Sequence, residues 1–143
     1  MVAAPPSPAD VADEFFSLYH LLKKHVDTAM ARSGVPLQRS KMLTLLDQEN
    51  PCRSSDLATW LGTAPRTVTQ GVDALERDGL AVRRPDLSDG RATLIWITDA
   101  GRKALKASKK PQRAAYDDLF GALSERERAA LLRSLRKLRI QAS

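Results

Sequence analysis

Arg66, Thr67, Thr69 and Gln70 follow Pro65 closely, and Arg91 closes the later stretch Asp86-Leu87-Ser88-Asp89-Gly90-Arg91. These side chains offer hydrogen-bond donors and methyl groups rather than nucleophiles, and such a set suits the edges of DNA bases. A guanidinium can bond guanine O6 and N7 together, a carboxamide can pair with adenine N6 and N7, and a threonine methyl can touch thymine. An arginine held out on a loop suits a narrow minor groove, and a nearby carboxylate can keep its guanidinium extended. Enzyme chemistry has no comparable support. There is no Ser/His/Asp set with a nucleophile signature, no phosphate loop and no paired metal ligands, so no catalytic centre, metal or cofactor is expected. One cysteine, Cys52, excludes an intramolecular disulfide, and His20 and His25 add no cluster at metal-ligand spacing.

The elements that must position these residues can be read from periodicity and punctuation. Ser7-Pro8-Ala9-Asp10 announces a first helix, with Ser7 as cap and Asp10 at its positive end. Val11, Phe15, Leu18, Leu22, Val26 and Met30 or Ala29 then recur at three- and four-residue steps up to Gly34. Phe16, Tyr19 and Leu21 widen that stripe and predict burial on more than one side, one of which a partner chain can supply. A second helix starts after Pro36 and ends near Asn50-Pro51. A third starts at Ser54 or Ser55 and closes at Gly62, and a fourth runs from Pro65 to about Asp78 before Gly79. At 100° per residue, Val68, Val72 and Leu75 face one way on this fourth helix, while Arg66, Gln70, Asp73 and Arg77 face the other. Two short strands follow, around Leu80 to Arg84 and Ala92 to Thr98. A fifth helix, capped by Thr98 or Asp99, reaches Phe120 with a kink or break expected at Pro111. The capping box Ser124-Glu125-Arg126-Glu127 opens the last helix.

An ordinary amphipathic surface helix would show the same apolar spacing as the fourth. The hairpin behind it decides the matter, because Arg83, Arg84 and Arg91 around a loop with Asp86 and Asp89 exceed what solubility requires. The expected fold is mainly α: a winged helix-turn-helix over residues 36–98, flanked by long helical regions, 8–34 and 99–143, within a single domain of 1–143. The 143 residues are 43% apolar and carry a formal charge of +6. The charge is uneven: residues 1–98 hold 11 Lys/Arg against 12 Asp/Glu, and residues 99–143 hold 12 against 5. A basic surface attracts polyanions without regard to sequence, although charge runs often mark only a solvated helix face. No apolar run has the length of a membrane span and Met1 to Pro8 lacks the regions of a signal peptide, so a cytoplasmic protein without membrane partners is expected.

The chain resembles the MarR family, named for the multiple antibiotic resistance regulator. The likeness rests on Leu57-Ala58, Gly62, Pro65, Thr67-Val68-Thr69, Leu75-Glu76, Gly79-Leu80, Arg83, Asp86, Asp89, Arg91, Ile97-Thr98, Gly101-Arg102 and Leu123-Ser124. It implies a homodimer whose first and last two helices interlock, acting as a repressor that reads a pseudopalindromic operator in double-stranded DNA. By carry-over, Ser54, Ser55 and Thr69 become phosphate or base-edge candidates, and Pro65, Arg66, Thr67 and Gln70 the major-groove element. Arg91 becomes the minor-groove arginine, with Asp89 as its positioner and Arg84 beside it. Two departures stand out. Gly90 replaces the first residue of the family's usual Arg-Arg pair, and Ala64 stands where serine often precedes the recognition helix, leaving the cap to Thr63 or to nothing.

The resemblance also implies release by small lipophilic, often aromatic and anionic, ligands. Tyr19, His20, Lys24, Arg39 and Trp60 are the candidates for lining such a site, against the simpler reading that they are solvated side chains. Cys52 precedes the third helix, where Arg53 and the helix start can depress its pKa, but a small buried residue is usual there and redox sensing is the lesser reading. The alternative function is a winged-helix module that binds nucleic acid without sequence choice through its basic tail helix, or that binds protein.

Overall fold

A computed structural model describes residues 2–143. Six helices and three strands follow in the order α1 (Pro8–Ala31), α2 (Leu37–Gln48), β1 (Cys52–Arg53), α3 (Ser54–Leu61), α4 (Pro65–Arg77), β2 (Ala81–Asp86), β3 (Asp89–Ile97), α5 (Asp99–Phe120) and α6 (Glu125–Ala142). The antiparallel sheet has the order β1-β3-β2. The mainly α, winged helix-turn-helix architecture expected from the sequence is present.

Two apolar clusters hold the subunit together. The larger joins Met42, Leu43 and Leu46 of α2, Leu57 of α3, Val68, Val72 and Leu75 of α4, Ala81, Ile95 and Ile97 of the sheet, and Leu105 of α5. The smaller, Val26, Met30, Leu37 and Ala115, ties α1 to α2 and α5. Between α2 and α5 two buried serines meet, with Ser40 Oγ 3.2 Å from Ser108 Oγ. Ser108 donates its own proton to the Leu105 carbonyl at 2.7 Å, so Ser40 must be the donor to Ser108. Both hydroxyls are thereby satisfied in an apolar setting, where an unpaired one would cost about 1–3 kcal/mol.

The caps on α1 and α6 form as expected: Ser7 with Asp10 and Ser124 with Glu127 make reciprocal boxes. Thr98, not Asp99, caps α5; its Oγ1 accepts from the Gly101 amide and donates to the Gly79 carbonyl. Four expectations need correction. The wing strands extend closer to the tip than residues 84 and 92, because ladder pairing continues to Asp86 opposite Asp89. A third strand, β1, was not foreseen. Helix α5 runs unbroken through Pro111, its packing on α1 and α2 outweighing the one amide that proline lacks. At the start of α3 neither Ser54 nor Ser55 caps; the Arg53 amide donates to Asp56 Oδ2 instead.

The N-terminal half of α1 and all of α6 lie outside this core. Phe15, Phe16, Leu18 and Leu21 are exposed, as are Leu132, Leu135 and Leu138, and α6 buries no residue in the subunit. Among the described residues no helix is long and apolar enough to cross a membrane.

Candidate nucleic-acid interface

Helix α4 is fixed from behind and open in front. Val68, Val72 and Leu75 are essentially fully buried, while Arg66, Thr67, Thr69 and Gln70 are exposed. Its first turn has no side-chain cap, since Ala64 has no acceptor and the Thr63 hydroxyl is buried without a hydrogen-bond partner among the described residues. The leading amides of α4 are therefore free to meet an anion, and the positive end of the helix dipole points the same way. Thr69 is oriented by its own backbone, donating from Oγ1 to the Pro65 carbonyl at 3.1 Å. Ser55 and Ser54, at the start of α3, are exposed and partly exposed respectively.

The wing is a two-stranded ribbon with Leu87 and Ser88 at its turn. Asp86 accepts from both the Ser88 amide, at 2.9 Å, and the Ser88 hydroxyl, at 2.7 Å, which closes the turn locally. Pro85 fits because β2 is the edge strand of the sheet. Arg91 is exposed and forms no ion pair among the described residues. Its expected positioner behaves differently: Asp89 Oδ1 accepts the Arg91 backbone amide at 3.2 Å, and Oδ2 lies 3.7 Å from the Arg53 guanidinium. Asp89 orders the wing backbone at Arg91, leaving the guanidinium free.

Arg53 is the residue that sequence reading missed. One guanidinium nitrogen lies 3.0 Å from Asp86 Oδ2 as well as near Asp89, so both wing carboxylates converge on it. Pairing of β1 with β3, Arg53 opposite Leu94, brings it there. A two-residue strand shows no alternation, so only the two unassigned wing aspartates hinted at a missing cation. The Ser88 hydrogen bonds, and then Arg53, hold the Asp86 carboxyl below its ordinary value near 3.8. A carboxylate depressed in this way stabilises the folded wing above that ordinary value, and the contribution fades as pH falls through the lower folded value.

The other wing arginines divide by strand alternation. Arg83 turns to α4, pairing with Asp73 at 2.6 Å and Glu76 at 3.4 Å and donating to the Thr69 carbonyl at 3.3 Å. Its backbone amide donates to Glu76 Oε2 at 2.8 Å. Arg83 and Asp73 are thus occupied with each other rather than presented outward. Arg84 lies on the opposite sheet face, where it shares a shallow concavity with Val82 and Trp96. Gly90 occupies ordinary strand geometry, and a Cβ there would meet open space, so nothing local requires glycine at this position. Gly90→Arg should therefore fold normally and, with one more phosphate contact, steepen the salt dependence of DNA binding by about 0.9 in log-log slope. A titration of affinity against salt that shows no steeper slope would mean the tip stays clear of the duplex.

The five residues considered for a ligand site are dispersed in their engagements. Tyr19 and His20 meet edge to face at 5.8 Å on the exposed side of α1, where Lys24 is also exposed. Arg39 is bound to Asp78 at 2.7 Å, and Trp60 is half exposed on α3. Cys52 is buried, and burial first, then Asp56 and Glu49, push its thiol up to about 11. The depressing influence expected from Arg53 is absent because that guanidinium is turned to the wing. Cys52 should stay unlabelled by a thiol reagent in the folded protein at pH 7.5 and react only on denaturation; rapid labelling of the native state would contradict this placement.

Comparison with known proteins agrees with this geometry. The MarR family model matches residues 36–93. The chain is 31% identical over 109 residues to the uncharacterized HTH-type transcriptional regulator YdgJ of Bacillus subtilis, covering 76% of this chain and 66% of that protein, just under two thirds of its length. It is 30% identical to Sco5413, a MarR family transcriptional regulator from Streptomyces coelicolor, with 96% of each chain covered and a TM-score of 0.80. Sco3205 from the same organism, solved in complex with DNA, superposes with a TM-score of 0.78 at 21% identity over 96% of this chain and 89% of its own. The chain belongs to the MarR family of winged helix-turn-helix, DNA-binding transcription regulators.

Proposed function

We propose that the chain acts as a homodimer that represses transcription by occupying a pseudopalindromic operator, and that a small lipophilic or anionic ligand releases it. The exposed edge of Arg66, Thr67, Thr69 and Gln70, on a helix whose back is locked into the core, carries this reading. Arg66, Thr67 and Gln70 read base edges in the major groove. Thr69, Ser54, Ser55 and the uncapped amides behind Pro65 hold phosphates, and Arg91 enters the minor groove with Arg84 behind it. Sco3205, whose structure contains DNA, supports duplex DNA as the partner. Exposed apolar surfaces on α1 and α6, too extensive for a solitary subunit, support pairing of two copies. Two lobes are also what a symmetric operator requires.

The second reading, sequence-indifferent binding, draws on the basic face of α5. A gel-shift with the DNA upstream of the protein's own gene separates the two. A sequence-specific regulator keeps that DNA against excess random duplex, whereas an indifferent binder surrenders it. Sedimentation should give twice the 15.7 kDa subunit mass; a monomer at micromolar concentration would overturn the dimeric operator model.

A further inference from the structure

The winged lobe has no surplus of positive charge with which to attract DNA. Residues 54–98 carry 5 Lys/Arg against 6 Asp/Glu, and one of the five, Arg83, is spent on Asp73 and Glu76, while Arg39 and Arg53 just outside this stretch are spent on Asp78, Asp86 and Asp89. The surplus lies on the last two helices, with 6 Lys/Arg against 3 Asp/Glu on α5 and 6 against 2 on α6, and on α5 it is gathered on one face. Lys106, Lys109, Lys110 and Arg113 line one open concavity of about 480 Å³, and among the described residues none of the four forms an ion pair. They lie on the outer side of the helix, because Leu105, Ser108 and Ala115 face the core. One carboxylate, Asp117, borders the concavity.

These cations stand on a different helix from the exposed side chains at the start of α4. Helix α5 begins against Leu80, which follows the C-terminal end of α4; about 12 residues of helix, roughly 18 Å, separate that end from Arg66. Lys106 and Arg113 lie about 10 and 20 Å along α5 from its own start. The exposed side chains of α4 and these cations thus belong to two separate surface features. Exposed lysines on long, hydrated stems suit a continuous polyanion; a small anion needs desolvated, fixed donors.

We infer that the outer face of α5 is a capture surface for duplex DNA, sequence-independent and separate from the base-reading surface. It draws the duplex in by its field and by counterion release, and the recognition helix takes over on docking. The inference rests on DNA being the partner, although not on any particular operator.

The test compares wild type with a variant carrying Lys106→Gln, Lys109→Gln, Lys110→Gln and Arg113→Gln, and with one in which the three lysines become arginine. All these positions are exposed, and circular dichroism checks the fold. Association and dissociation rates are measured by stopped-flow and competitor chase on upstream DNA and on random duplex. At low salt the glutamine variant should associate about 10-fold more slowly with both DNAs, the difference vanishing at high salt, with dissociation from upstream DNA unchanged. The arginine variant should match wild type. Unchanged association would overturn the inference. So would faster dissociation with unchanged association, which would place the cations in the docked complex, or retention of the same cations by anionic vesicles with no effect on DNA. Failure of the operator reading is distinguishable, because wild type would then bind both DNAs equally while the random-duplex rates still report on α5.

Discussion

Replacing Arg66 and Gln70 together by alanine should erase most of the preference for operator over random duplex. Each bidentate contact to a base is worth about 1–3 kcal/mol of discrimination. Losing two amounts to about 2–6 kcal/mol, a fall in operator affinity of at least roughly 30-fold, with random-duplex affinity falling far less. Both side chains are exposed and take no part in the core, so thermal stability should move by no more than about 0.5 kcal/mol. Competition binding with operator and random DNA, alongside a melting curve, checks both halves. An unchanged preference ratio would show that α4 does not read bases. The single variants then locate the effect, since loss of Arg66 should relax selectivity at a guanine and loss of Gln70 at an adenine.

The largest effect on stability is expected at Gly101. A Cβ there would lie 2.2 Å from the Leu80 carbonyl oxygen and 2.7 Å from Ile97 Cγ1. The obstacle is backbone, so α5 must move away from the start of β2, loosening the Thr98 cap and the Leu105 contact with the core. Alanine gains about 1 kcal/mol of helix propensity over glycine, but overpacking typically costs about 1–3 kcal/mol, and a clash with backbone belongs at the upper end or beyond. Gly101→Ala should lower the melting temperature by several degrees. Gly71→Ala is the control: its Cβ would meet only Cε and Sδ of Met42, the far end of a flexible side chain. If Gly101→Ala melts no earlier than Gly71→Ala, the close approach of α5 to Leu80 is wrong.

What could be read from sequence was whatever has a period or a local signature. The Val68, Val72 and Leu75 face of α4, the Ser7 and Ser124 boxes and the Gly62 stop of α3 are set by residues a few positions apart, and each is where the sequence places it. What escaped depends on pairs distant in the chain. Arg53 reaches Asp86 across 33 residues, and Arg83 turns to Asp73 through the sheet's alternation rather than through any motif. Charge was correctly counted but incorrectly spent: Asp89 was given to the guanidinium of Arg91, and the fold gives it to the Arg91 amide and to Arg53. Pro111 shows the opposite error, a strong local breaker overruled by a helix packed along its length. The candidate ligand site was least legible, because a cavity has no period at all.

The grip of Arg83 on Asp73, Glu76 and the Thr69 carbonyl gives the lobe a property beyond stability. It ties the base of the ribbon to α4, so the ribbon that carries Arg91 and the helix that carries Arg66 and Gln70 are linked through one side chain. To the extent that this tie holds on DNA, the lobe works as a caliper. A duplex whose major and minor grooves match that gap is accepted undistorted, and one that does not must itself be bent or squeezed. Base pairs lying between the jaws, which no side chain touches, then contribute to selection through the stiffness of the DNA.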